Sequence, residues 1–370
     1  MRKRVTAGFP HMMKEAGEKR AFLPAFIQYL TRFAEVYLAE GYGSRMGFSF
    51  DDYQQGNPRV HEVERREAFQ KDYVMILRAP NEEEYEWIRP GACLISMLHY
   101  PTRPARVEKL RRLGLNAISL DSIIDDYNLR LVENMRAVAW NGLEAAFSVL
   151  ENRWQDLRRA DGDPWRVVIL GTGMVGKHAV EAATKLGSVE RNNRHIALGG
   201  PGALAVSVGR NLSENPVQME RLLRSADVLV DASQRRDPSR PIVPNDWIAW
   251  LPQHAVVVDL AVDPYLLDHT PPVVRGIEGI PQGDLDKYIF YPDDPDWEKT
   301  VPPSIPSRHR RVTATCYSWP GVHPEACMEL YGRQLLPLME ILLTKPYDAI
   351  SLNSENYFER ALARAKLPLE

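Results

Sequence analysis

The feature that most constrains this chain is a short apolar run, Val167–Leu170. It passes directly into Gly171-Thr172-Gly173-Met174-Val175-Gly176 and then into a helical stretch that ends at Gly187. A GxGxxG is a weak signal alone, but set between a strand and a helix it is specific, because each glycine has a separate task. The first permits a tight turn, the second lets the backbone approach a phosphate, and the third lets the helix pack close to the strand. The unpaired N–H groups at the start of the helix then attract anionic charge. The segment predicts a parallel α/β domain that holds a dinucleotide, NAD or NADP, at Gly171, Gly173, Met174, Val175 and Gly176.

The usual companion of such a turn is an acid about 20 residues further on, at the end of the second strand, where it holds the ribose hydroxyls. That spacing falls on residues 188–195, where Glu190 lies beside Arg191 and Arg194. Arg194 is placed to take a ribose phosphate and so favours NADP, whereas Glu190 favours NAD. The choice of coenzyme stays open at this stage.

The rest of the chain agrees with an α/β organisation. Residues 21–40 place Phe26, Tyr29, Leu30, Phe33, Tyr37 and Leu38 at three- and four-residue spacings, which predicts an amphipathic helix stopped at Gly41. Residues 72–80, 92–101 and 115–123 are short apolar runs between helical patterns, and predict buried parallel strands. Residues 131–151 predict a long helix, followed by a polar linker, ENRWQDLRRADGDP. Further strands are expected at 226–233 and 255–263, and a last helix at 325–344. Residues 275–312 are rich in Pro, Asp and Arg without periodicity, and predict a long functional loop or lid.

Composition excludes several classes. At 370 residues the chain exceeds what one core organises, so two domains are expected. With 44% hydrophobic and 26% charged residues it is an ordinary globular chain, not a disordered one. A net charge of −3 gives no basic stripe for nucleic acid. Cys93, Cys316 and Cys327 form no CxxC, so neither a disulfide framework nor a thiolate metal site is expected, and no metal is predicted. The N-terminus lacks an apolar run of signal length, and no segment reaches the ~20 apolar residues of a membrane span. The expectation is a cytoplasmic protein that does not engage a membrane.

Several segments together resemble the alanine dehydrogenase and transhydrogenase N-terminal family, which also includes lysine-forming saccharopine dehydrogenases. They are Lys14-Glu15 with Glu18-Lys19-Arg20-Ala21-Phe22-Leu23-Pro24, and Gly41-Tyr42-Gly43-Ser44 with Gly47-Phe48-Ser49 and Asp51-Asp52-Tyr53. Then come MILRAP (75–80), MLHYP (97–101), VVVDLAVD (256–263) and Pro320-Gly321-Val322-His323-Pro324, all in the family's order. The resemblance implies two Rossmann-like doubly wound α/β domains, with the nucleotide domain inserted into a discontinuous substrate domain. The expected bounds are 1–135 and 321–370 for the substrate domain, and 136–320 for the NAD(P) domain. The active site is expected in the cleft between them, and the assembly is expected to be a homo-oligomer.

By the same resemblance, Arg20 binds a substrate carboxylate, for which a guanidinium fork is well shaped. Arg78 stands where the family has a lysine; it can bind a carboxylate but keeps its proton and cannot act as a base. His99 matches the catalytic histidine, Asp263 the aspartate beside the nicotinamide, and Leu260, in the same strand segment, lies against the cofactor. Asp259 is expected to be structural. Ser318, Glu325 and the 275–312 segment depart from the family pattern where substrate identity is decided. The implied function is reversible oxidative deamination of a small amino acid to a 2-oxo acid. Two alternatives are an opine- or saccharopine-type reaction that joins a 2-oxo acid to an amino acid, and an inactive nucleotide-binding protein.

Overall fold

The computed structural model describes residues 4–13 and 15–368 and divides the chain into two units, Met1–Asn134 with His323–Glu370, and Met135–Val322. Lys14, part of the N-terminal motif, lies outside the described residues.

The first unit is built on six parallel strands: β1 (Val5–Phe9), β2 (Ala34–Ala39), β3 (Val60–Val63), β4 (Tyr73–Arg78), β5 (Cys93–Met97) and β6 (Asn116–Ser119). Their order across the sheet is β3-β2-β1-β4-β5-β6, the doubly wound arrangement. Strand β4 has five consecutive buried residues, as expected where both faces of a parallel sheet are covered. The helix Pro324–Thr344 returns to this unit and buries Met328, Tyr331, Leu335, Leu338 and Leu342 in the same core as Phe9, Ile27 and Leu94. Each such large apolar side chain contributes about 1.5–3 kcal/mol through burial.

Residues 21–40 are not one helix. A helix spans Pro24–Leu30, and the chain turns through Thr31–Phe33 into β2. The reason lies in the residues: Ala34, Val36 and Leu38 are buried while Glu35 and Tyr37 are half-buried, a period of two. In so apolar a stretch that period is masked by chance matches to helical spacing. Pairing with β1 and β3 on either side then satisfies the backbone as strand.

The second unit has strands β7 (Trp165–Leu170), β8 (Ala203–Val208), β9 (Val228–Asp231), β10 (Val256–Asp259), β11 (Ile289–Phe290) and β12 (Val312–Thr315), in the order β11-β12-β10-β9-β7-β8. All neighbours are parallel except β11, which pairs antiparallel with β12. Alternation along the strands feeds two cores. Val167, Ile169, Val228, Val230, Val256 and Val258 pack with Leu143 and Phe147 of the helix Met135–Glu151. Val168, Leu170, Leu229 and Val257 pack on the other face with Met219, Leu223 and Ile248.

Residues 275–312 are not an open loop or lid. They contain β11, the helix Asp296–Thr300 and a small core of Phe290, Trp297 and Val301. Trp297 donates its indole N–H to the Gly279 carbonyl, which anchors the segment. Among the described residues no helix is long and apolar enough to cross a membrane.

Candidate functional site

In the first unit the candidate residues gather at the carboxyl ends of the strands. His99 follows β5 with φ of 53°, a left-handed conformation that costs a non-glycine residue energy. Its side chain is 51% exposed, and its Nδ1 lies 3.2 Å from Asp121 Oδ2, on a side chain 7% exposed. The His99 backbone N–H donates to Asp121 Oδ1 at 3.1 Å, and Ser119 Oγ donates to the same oxygen at 2.8 Å. Sheet register explains the meeting: Ser96 of β5 pairs with Ser119 of β6, so both chains leave the sheet at the same end. Burial pushes the Asp121 carboxyl up, but the hydrogen bond and charge of His99 outweigh it and hold the group well below the usual carboxylate range. The carboxylate fixes the ring's orientation.

Arg78 ends β4 and pairs with Glu15. Arg20 differs from the expectation of a fork open to a ligand. Its side chain is 2% exposed; Nε donates to Glu18 Oε1 at 2.9 Å and Nη2 to Glu18 Oε2 at 2.5 Å. Burial raises the Glu18 carboxyl, but hydrogen bonds from Arg20 and its charge prevail and lower it. Neither Glu15 nor Glu18 was assigned a role from sequence, although both lie in the N-terminal motif. Asp121 was also missed; its signal is a lone acid two residues past an apolar strand, SLDSI. The three cysteines are free and buried, and burial pushes the thiols of Cys93 and Cys327 up, as suits packing and not nucleophilic chemistry.

In the second unit the turn after β7 has the geometry its sequence demands. Gly171 has φ of 109°, and a Cβ there would lie 2.4 Å from the Ala232 carbonyl oxygen. A Cβ at Gly176 would lie 2.3 Å from the Gly171 carbonyl oxygen. At Gly173 it would meet nothing within 4 Å, so the turn faces open space. That space is a cleft of about 830 Å³ lined by Gly171, Gly173, Arg210, Ser233, Arg235 and Trp247, among others. The helix Met174–Ala183 starts from Gly173 without a side-chain cap, leaving its first N–H groups for an anion. The turn, the open side at Gly173 and the uncapped helix fit the pyrophosphate of a dinucleotide. Met174 is exposed and Val175 half-buried at the helix start.

Arg194 does not stand at the ribose position. Residues 189–197 are a helix, capped by Ser188, and not the end of the second strand. Arg194 pairs with Glu151 and Asp156, and Arg191 with Glu151. The second strand is β8, and the residues that follow it are Gly209 and Arg210. Leu260 is a core residue, 6% exposed, packed with the apolar face of the sheet; its backbone N–H donates to the Asp231 carbonyl.

Asp263 follows β10 and receives a 2.7 Å hydrogen bond from Arg235 Nη2. Asp259 is buried against Arg275 and accepts the Val262 N–H at 2.8 Å, a structural role. Register sets it beside Asp231 of β9. Burial, reinforced by the Asp259 charge, pushes the Asp231 carboxyl up to about 7 although Ser233 donates to it. Among the described residues its Oδ2 has no hydrogen-bond partner. Asp231, Arg235 and Arg275 were not singled out from sequence; the repeated strand ends VLVD and VVVD were the available signal.

Two family models match the chain: "Alanine dehydrogenase/PNT, N-terminal domain" over residues 12–139 and "Alanine dehydrogenase/PNT, C-terminal domain" over 160–264. Alanine dehydrogenase of Bacillus subtilis (strain 168) is 24% identical over 272 residues, covering 69% of this chain and 70% of that protein. Alanine dehydrogenase 1 of Staphylococcus aureus (strain NCTC 8325 / PS 47) is 24% identical over 270 residues, covering 68% and 71%. Among solved structures, an L-alanine dehydrogenase superposes with a TM-score of 0.71 at 22% identity over 98% of this chain and 94% of that one. A transhydrogenase from Sinorhizobium meliloti gives 0.63 at 16% identity over 97% of each chain. These likenesses establish the shared fold.

Proposed function

The chain belongs to the alanine dehydrogenase/PNT family, and from that premise we propose that it is an NAD(P)-dependent amino-acid oxidoreductase that reversibly deaminates a small amino acid to its 2-oxo acid. The observation that carries this reading is the dinucleotide cradle at Gly171–Gly176, in a chain whose two halves match the family's two domains in order.

In the reaction, amino acid, oxidised dinucleotide and water give 2-oxo acid, ammonium, reduced dinucleotide and one proton. The nicotinamide, when bound, supplies the hydride acceptor. The chain's own residues do the rest. Gly171, Gly173 and the N–H groups of Met174 and Val175 hold the pyrophosphate. Arg78 holds the substrate carboxylate, which replaces Glu15 on its guanidinium. Arg20 is itself held by Glu18 and binds substrate only by releasing that pair. His99, oriented by Asp121, accepts a proton as water adds to the imine and returns it as the amine leaves. Asp263, anchored by Arg235, orients the amine or water. Arg78 keeps its proton at working pH, so the proton transfer is assigned to His99.

The opine-type alternative rested on residues 275–312 as a roomy loop. Their packing around Trp297 removes that support. The test is turnover by purified protein with NAD⁺ or NADP⁺ and a panel of amino acids, followed by reduced dinucleotide with 2-oxo acids plus ammonia. Formation of reduced dinucleotide with a small amino acid is expected. Turnover only with a second amino acid in place of ammonia would transfer the assignment to the opine class.

A further inference from the structure

We propose that Arg210, with Arg236 and Arg240 of the same cleft lining, forms a phosphate-ester subsite that selects NADP(H) over NAD(H) through the 2′-phosphate of the adenosine ribose. The inference rests on the dinucleotide reading above and specifies its ligand.

The first observation is positional. In a doubly wound domain the residue just past the second strand meets the adenosine ribose. A carboxylate there accepts from the 2′-hydroxyl and repels a 2′-phosphate, whereas an arginine does the reverse. Here β8 ends at Val208, and Gly209-Arg210 follow, so the position carries a cation. Arg210 lines the same cleft as the glycine turn.

The second observation is the charge of that cleft. Its lining carries Arg210, Arg235, Arg236 and Arg240 against two carboxylates, Glu214 and Asp237. One arginine is committed: Arg235 binds Asp263 and the carbonyls of Pro238, Arg240 and Val274. Arg240 makes a 3.4 Å pair with Asp237, with both side chains well exposed, a contact worth little in water. Among the described residues Arg210 and Arg236 make no ion pair, and the guanidinium of Arg210 touches only the Gln234 carbonyl, at 3.4 Å. Glu214, the remaining acid, follows the helix Arg210–Ser213 and makes no ion pair among the described residues, so the arginines of the lining outnumber its acids by two. A phosphate dianion matches this surplus, and guanidinium forks bind it bidentately.

The test is a binding titration of the full chain followed by Trp247 and overall tryptophan fluorescence, with NADPH, NADH and the fragment 2′,5′-ADP against 5′-AMP. NADPH is expected to bind about 10- to 100-fold more tightly than NADH, the range of one or two charged hydrogen bonds. The fragment 2′,5′-ADP should bind where 5′-AMP does not. Arg210→Ala should remove most of that difference and leave NADH affinity unchanged; Arg236→Ala should do so in part. All three side chains are exposed, so folding should survive. Equal affinities, a preference for NADH, or an Arg210→Ala variant that weakens both coenzymes alike would overturn the inference and leave the dinucleotide site standing. Binding of neither coenzyme would overturn the functional reading, and the inference with it.

Discussion

The two units hold their charges in opposite ways. In the first, each candidate cation already has a carboxylate from its own chain: Arg20 has Glu18, Arg78 has Glu15 and His99 has Asp121. In the second, the helix after the glycine turn starts without a side-chain cap, and among the described residues Arg210 and Arg236 line the cleft without an ion pair. The difference teaches what each unit is prepared for. Groups held in fixed pairs are oriented, and a ligand reaches them by competing with an internal carboxylate. Arginines without a carboxylate partner offer a standing anion site that a phosphate-bearing ligand enters directly.

Replacing one group on each side separates the two. His99→Ala should lower kcat by about 10²–10⁴-fold, the range of general acid–base catalysis, with dinucleotide affinity unchanged in a fluorescence titration. Loss of dinucleotide binding in that variant would break the division. Gly171→Ala should do the converse. Its Cβ would strike the Ala232 carbonyl, and φ of 109° is strained for alanine, so dinucleotide affinity should fall at least about tenfold. The variant should also melt earlier, by about 1–3 kcal/mol of lost stability.

A subtler change sharpens the account of the first unit. Asp121→Asn keeps the size of the side chain but removes the carboxylate charge that faces His99 Nδ1. We expect kcat to fall roughly 10- to 100-fold, with dinucleotide affinity unchanged. A purely structural role would change stability and leave kcat of the folded enzyme unchanged. In linkage terms the folded pKa of Asp121 is depressed, so its contribution is present above the unfolded value near 3.9 and is lost as pH falls below it.

Much of this was legible because the signals are local. A strand, a glycine turn and a helix within residues 165–187 each follow from their own residues, and the three elements formed where the pattern placed them. The ribose position was not legible, because the helix Val189–Ala197 lengthens the crossover and moves the strand end from the expected 188–195 to Val208. Arginines near the right spacing were therefore credited with a role that Arg210 is placed to fill. The His99–Asp121 pair was also hidden, since it depends on the register of β5 against β6 across 22 residues of chain. Residues 21–40 misled because dense apolar sequence satisfies the periods of helix and strand together. The buried pair Asp231 and Asp259 needed two strand ends to be set side by side.

That last pair supplies the smallest expected effect. The folded pKa of Asp231, pushed up to about 7, lies above its unfolded value near 3.9, so the native state holds a proton that the unfolded chain has released. Stability should fall as pH rises from about 4 to about 7 and then level off. Asp231→Asn should flatten that slope, read as Tm against pH. An unchanged slope would place the titration elsewhere.

On the proposed function, a hydride passes from the α-carbon of an amino acid to a dinucleotide held at Gly171–Gly176. The most direct measurement is turnover of an α-deuterated small amino acid, with mass spectrometry of the dinucleotide formed. Deuterium on the reduced nicotinamide is the predicted result. Reduced dinucleotide without deuterium, or none from any amino acid under conditions where the dinucleotide binds, would contradict it.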